Sequence, residues 1–282
     1  MTDALMDALI DTLKLLPYLL ITFLILEFFE HKLSKKNEKI LSKNKKYGPI
    51  LGGILGAFPQ CGFSTMASNL YSSGIITTGT LIAVFLSTSD EMLPILLGEK
   101  INPLTIAKIV GFKVVVGITL GFVIDLIYRK SKKKEHHQKD IHDLCEKEHC
   151  DCEHDGIILS SIKHALKIGL FILLANATIN LIIFFIGEDS LKDILLNKNI
   201  FSYFLASLVG LIPNCASSVI MTELFISGLI TKGVLMSGLL TGSGLGLLIL
   251  FKENDNKKEN LSILLTIYFI GVIIGFILDL FL

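Results

Sequence analysis

The sequence predicts an all-α integral membrane protein built from two inverted repeats, each of three full spans plus a broken re-entrant helical hairpin, about ten helices in all. Three observations carry that expectation. Of 282 residues, 51% are hydrophobic and 18% charged, and several apolar runs approach or exceed the roughly 20 residues that cross a bilayer as helix. Their Val, Ile and Phe residues do not alternate with polar ones as barrel strands require. Second, the chain repeats itself. Phe58-Pro59-Gln60-Cys61-Gly62-Phe63-Ser64-Thr65 returns as Ile212-Pro213-Asn214-Cys215-Ala216-Ser217-Ser218, 154 positions later. The same offset, without a gap, aligns Gly74-Ile75-Ile76-Thr77 with Gly228-Leu229-Ile230-Thr231, Ser89 with Ser243, and Gly117 with Gly271. It also aligns Gly121-Phe122-Val123-Ile124-Asp125-Leu126 with Gly275-Phe276-Ile277-Leu278-Asp279-Leu280. A register held that long marks a tandem duplication. Third, net charge is zero but the charges cluster in a few loops, so they report topology and say nothing of nucleic acid.

Residues 1–128 form the first membrane repeat, 129–156 a cytoplasmic His/Cys-rich loop and 157–282 the second repeat. Residues 1–11 are acidic rather than basic, so the apolar run 13–29 is expected to stay as a membrane helix and not to be removed as a leader. The loop with Lys32, Lys35, Lys36, Lys39, Lys43, Lys45 and Lys46 stays inside the cell by the positive-inside rule. Segment 47–73 is broken at Pro59, while 75–97 and 104–128 read as spans. The next loop opens with Arg129, Lys130, Lys132, Lys133 and Lys134 and again stays inside. Two basic loops on one side require an even number of crossings between them. Two spans already supply that, so 47–73 should enter and return on one side, as half-helices meeting at Pro59-Gln60-Cys61. In the second copy, 157–185 is a span, 201–227 the broken segment, and 229–251 and 261–282 the remaining spans. An odd number of crossings per copy inverts the second copy, so the two hairpins dip in from opposite faces and the Cys61 and Cys215 tips meet near the midplane.

The tips carry the candidate substrate site: Pro59, Gln60, Cys61, Ser64 and Thr65 in one copy, Pro213, Asn214, Cys215, Ser217 and Ser218 in the other. Proline stops a helix and frees a carbonyl, and half-helices beginning at the tips would aim N–H groups into a cavity. Thiols suit a soft ion such as arsenite and carboxamides a harder one. The plainer alternative is that Pro and Cys only kink and pack a helix. Ser89, Asp90 and Glu91 lie inside an apolar run, where an ionised carboxylate costs at least about 2.5 kcal/mol, so they read as coupling residues that take a proton or cation. The alternative places them at the outer interface, one turn before Pro94. Glu223, aligned with Asn69, and Glu27 are further coupling candidates. Asp125 and Asp279 close the last span of each copy and read as structural interface residues, and Lys113, inside a span, as a partner for one of the acids. His136, His137, His142, Cys145, His149, Cys150, Cys152 and His154 hold five of the seven His and three of the five Cys. They suit zinc, copper or another thiophilic ion at no defined finger spacing. A solvated, disordered loop would have the same composition.

Phe58-Pro59-Gln60-Cys61-Gly62-Phe63-Ser64, Ser87-Thr88-Ser89-Asp90-Glu91, the His/Cys loop and Ile212-Pro213-Asn214-Cys215-Ala216 together resemble the ten-transmembrane heavy-metal exporter family, whose members go under arsenic efflux protein or manganese transporter. The tips also look like those of permeases linked to organoarsenical efflux. The resemblance runs over nearly the whole chain and implies a multi-pass secondary transporter of the cell membrane that exports a heavy-metal or metalloid species. There is no phosphate-binding loop, so an ion gradient or the membrane potential is the expected driving force. No catalysis and no cofactor are expected, the metal being substrate or loop ligand. The expected partners are a metal or metalloid ion and the lipid bilayer, and no nucleic acid. Two other classes fit the residues: an intramembrane thiol enzyme using Cys61 and Cys215 as a redox pair, and a metal-sensing membrane protein worked by the His/Cys loop. Thiols favour arsenite and the carboxylates manganese, and the sequence holds both.

Overall fold

The computed structural model describes residues 47–58, 61–89, 92–131, 200–213 and 215–281, with isolated pieces of helix between 9 and 24 and between 162 and 178. Among the described residues all regular structure is helical. The first copy contributes α1 (Gly48–Gly56), α2 (Cys61–Ser72), α3 (Thr78–Ser87), α4 (Met92–Gly98) and α5 (Pro103–Ser131). The second contributes α6 (Phe201–Gly210), α7 (Cys215–Ile226), α8 (Lys232–Thr241), α9 (Gly246–Glu253) and α10 (Lys257–Phe281). The expectations for Pro59, Gln60, Asp90, Glu91, Asn214, Glu27 and the His/Cys loop, and most of those for spans 13–29 and 157–185, concern positions outside the described residues.

The Pro-(Gln/Asn)-Cys segments are broken as expected. α1 has 9 residues and α2 has 12, or about 14 and 18 Å of helix, each well short of a hydrocarbon core about 30 Å thick. The expected continuous span over 75–97 is corrected: it is broken too. α3 ends at Ser87, Thr88 leaves the helical conformation with ψ 127°, and α4 begins at Met92. Two features of the sequence cause this. Ser87 and Thr88 fold their hydroxyls back onto Ala83 O and Val84 O, at 2.7 and 2.8 Å, in competition with the helix ladder. Pro94 has no N–H and is tolerated only in the first turn of a helix, so a new helix starts just before it. The second copy breaks at the matching place by other means, since Gly244 takes φ +54° between α8 and α9, a conformation that glycine adopts without strain.

The duplication is visible in three dimensions. α1, α3 and α5 pack on one another, and α6, α8 and α10 repeat the arrangement. Equivalent residues make equivalent contacts. A Cβ on Gly121 would fall on Gly79 O, and one on Gly275 on Gly233 O. These Gly-x-x-x-Gly faces, Gly117 with Gly121 and Gly271 with Gly275, allow the close backbone approach typical of membrane helix pairs. Each middle helix is capped in the same way. Thr77 Oγ1 accepts from Thr80 N at 3.2 Å and donates to Asp125 Oδ2 at 2.7 Å, while Asp125 Oδ1 accepts from Gly79 N at 2.8 Å. Thr231, Val234, Asp279 and Gly233 repeat the set. Each aspartate therefore satisfies the donor end of α3 or α8, where the helix dipole favours an anion.

The two copies also exchange parts. α2 packs mainly on α9 of the other copy, α7 packs on α8 of its own copy and also touches α4 of the other, and α3 and α8 meet at the centre. Both apolar clusters accordingly mix the copies: Phe85, Leu81 and Val116 with Leu240, Leu247 and Ile267 in one, Met92, Leu96 and Ile106 with Val209, Met221 and Leu239 in the other. Every residue of α3 is buried. Three segments are long and apolar enough to cross a membrane among the described residues: Pro103–Ile127, Lys232–Glu253 and Lys257–Phe281. The central one is 83% buried and the outer two 28% each. Apolar helices that leave most of their surface uncovered suit a lipid solvent, and the molecule is an integral membrane protein.

Candidate functional site

Three of the four chain breaks meet at one place. A cavity with room for about one water molecule, roughly 10 Å³, lies where the break after α3, the start of α7 and the end of α8 converge. Its walls are Thr88, Ser89 and Met92 from the break after α3, Lys113 from α5, Ser217 and Ser218 from α7, and Gly238, Leu239 and Gly242 from α8 and its break. The structure thus brings together the expected substrate residues Ser217 and Ser218 with the expected coupling residue Ser89. Ser217 and Ser218 stand in the first turn of α7, where helix N–H groups carry positive partial charge. Thr88, Leu239 and Gly242 stand at helix C-terminal ends, where carbonyls carry the negative one. Lys113 lies against the negative ends and is 1% exposed. Its Nζ donates to Thr88 O and, at 2.8 Å, to Leu239 O. The cavity therefore combines hydroxyl groups, one thioether and one lysine amine.

The other expected residues are placed differently. Ser64 and Thr65 are buried on α2, outside the lining of this cavity. They sit at the exchange contact with the second copy, where a Cβ on Gly246 would fall 2.9 Å from Ser64 O. Ser68 Oγ lies 2.7 Å from Gly246 O and 3.0 Å from Ser64 O, its proton shared between them. Cys61 and Cys215 are the first residues of α2 and α7, so each begins a half-helix that touches the other copy. Pro213 is half-buried just before the second tip. Glu223 is on the exposed face of α7 and does not line the cavity, whereas its counterpart Asn69 is buried with neither side-chain amide atom hydrogen-bonded among the described residues. The acid candidates at 90–91 follow Ser89 directly in the chain.

A family model described as "Putative, 10TM heavy-metal exporter" matches residues 1–189, more than half of the chain. The chain belongs to this family. No curated protein and no solved structure matches the chain. The family match takes in Pro59-Gln60-Cys61, the Ser87–Glu91 stretch and the His/Cys positions, and it stops before Pro213-Asn214-Cys215, so it is narrower than the resemblance read from the motifs. For a member of an exporter family, the second tip is tied to the first by the internal duplication and by the exchange of α2 and α7.

Sequence reasoning missed Thr88, Met92, Gly238, Leu239 and Gly242 as cavity walls. Thr88 and Gly242 are 154 apart, and the pair could have been found from the duplication together with Pro94. Met92 and Leu239 carry no such signal, because their place depends on packing between the copies. Among the described residues no three His, Cys, Asp or Glu side chains gather into a metal cluster.

Proposed function

We propose that this exporter-family chain is a secondary transporter that moves a heavy-metal or metalloid species of the arsenic or manganese class out of the cell, through a midplane site that the two Pro-(Gln/Asn)-Cys tips form with the broken middle helices. The observation that carries the reading is the cavity shared by the two copies, with Ser217 and Ser218 of one facing Thr88 and Ser89 of the other. Discontinuous helices from two repeats converging on one spot are how secondary transporters build a substrate site at the membrane centre.

In this reading the repeats are inverted, the plasma membrane is the location, and the basic loops and His/Cys loop are cytoplasmic. Cys61 and Cys215 supply thiolates to a soft ion and Gln60 and Asn214 supply carboxamides. The hydroxyls of Ser64, Thr65, Ser217 and Ser218 complete the passage. Asp90 and Glu91, beside Ser89, couple the movement to a proton or cation. His136, His137, His142, Cys145, His149, Cys150, Cys152 and His154 capture the ion from the cytoplasm.

The test is uptake into inside-out membrane vesicles, measured for arsenite, manganese, zinc and copper. Uptake of one of these above vesicles lacking the protein, reduced at least about tenfold by Ser217→Ala/Ser218→Ala at equal protein level, is the expected result. A wild type that transports none of the four ions would contradict the reading.

A further inference from the structure

The two broken middle helices leave carbonyls without helical donors at one place. Thr88 O lies past the last residue of α3. Leu239 O lies in the last turn of α8, and its in-register donor would be Ser243 N, beyond the helix end at Thr241. Both accept a hydrogen bond from Lys113 Nζ. Lys113 reaches them because Gly117, one turn further along α5, lets that helix run close against α3: a Cβ there would fall 2.8 Å from Ala83 O. One lysine therefore closes the C-terminal ends of a helix from each copy. The duplication did not supply it, since the matching residue 154 positions later is the buried Ile267.

Freed carbonyls at the ends of broken helices are the groups that hold a coupling sodium in transporters built on discontinuous helices, and helix C-termini favour a cation in any case. An ammonium is a compact charge with the same preference for oxygen. We propose that Lys113 is a tethered cation that fills the carbonyl cage between the two copies, so that no sodium ion is taken up there. The proposal deepens the transporter reading above and rests on it. Among the charged groups of the elements around Lys113, α1, α3 and α4 contain none, α8 has only Lys232 at its first residue and α7 only the exposed Glu223. Asp90 and Glu91 follow Ser89 in the chain, outside the described residues, and a carboxylate from either would hold the ammonium in its cage more firmly.

The test uses the full chain, purified in detergent and reconstituted. Lys113→Ala cuts the tether and leaves space for a small free cation, Lys113→Met fills the space without charge, and Lys113→Arg keeps the charge. Thermal unfolding is followed in sodium, propylammonium and choline at equal ionic strength. The expected result is that sodium or propylammonium raises the Tm of Lys113→Ala by at least about 3 °C over choline. Wild type, Lys113→Arg and Lys113→Met should not distinguish the three cations, with Lys113→Met the least stable of these. In proteoliposomes, wild-type metal counterflow should keep its rate when choline replaces sodium. A wild-type flux that falls about tenfold without sodium overturns the proposal. So does a Lys113→Met protein as stable as wild type, or a folded Lys113→Ala protein indifferent to cations. Where Lys113→Ala yields no folded protein, the Lys113→Met and Lys113→Arg stabilities and the wild-type sodium comparison decide. A wild type that moves no metal sinks the transporter reading instead, and the thermal comparison still judges the cage.

Discussion

Asp125 and Asp279 do the same work 154 residues apart, and the difference between their surroundings makes their role measurable. Each accepts from the backbone N–H near the start of a middle helix and from the hydroxyl of the capping threonine. Asp279 has one partner more: Tyr203 donates its hydroxyl to Oδ2 at 2.9 Å, where the first copy has Pro49 at the equivalent position. Removing a cap that accepts from backbone N–H groups costs roughly 1–2 kcal/mol. Leaving the Tyr203 hydroxyl without its acceptor adds to that. Asp125→Ala is therefore expected to lower the Tm in detergent and Asp279→Ala to lower it further, while metal flux per folded molecule stays within about twofold of wild type. Stability unchanged with flux lost would instead make these aspartates ion ligands. Residue-scale chemistry of this kind was legible in part. The sequence marks Asp125 and Asp279 as a matched structural pair, but not as caps, because the N–H groups they satisfy lie on a helix 46 residues away.

Among the elements, α3 and α8 are the ones on which the others depend. Every residue of α3 and all of α8 but Lys232 are buried, and they can be approached closely because glycine stands at the contacts on both partners. A leucine at Gly275 would drive its side chain into Gly233 O and Ser237. Overpacking commonly costs about 1–3 kcal/mol, and here the Gly233 carbonyl is backbone, which cannot swing aside. Gly275→Leu is expected to abolish a monodisperse species in size-exclusion chromatography, and Gly111→Leu, at a glycine with open space around it, to leave the profile unchanged. The same helices show where reading the sequence stopped. The breaks at Pro59 and Pro213 announce themselves by a motif that occurs twice. The break at Thr88 is hidden in an apolar run of span length, and its cause is split between hydroxyls folding back on the preceding turn and a proline that stands six residues later.

The whole molecule is held together by exchange between its halves. Because α2 lies on α9 and α7 touches α4, neither copy can complete its packing alone, and both apolar clusters draw on both copies. Residues 1–131 and 157–282 produced as separate chains in one cell are expected to co-purify, and each produced alone to be degraded or aggregated. Independent, stable halves would contradict the exchange. None of this could be read from sequence, since hydrophobic periodicity shows that a face is buried but not against which partner. The duplication, by contrast, was legible to the residue, and it positions Cys61 and Cys215 as equivalents at the starts of the two exchanged helices. Whether the two thiols carry export is decided by the accumulation of arsenite, manganese, zinc and copper in cells producing wild type or Cys61→Ser/Cys215→Ser at equal membrane level. Wild type is expected to lower the cellular content of one of these ions severalfold, and the double substitution to restore it. An export that survives loss of both thiols, or a wild type that changes no ion's content, would contradict that expectation.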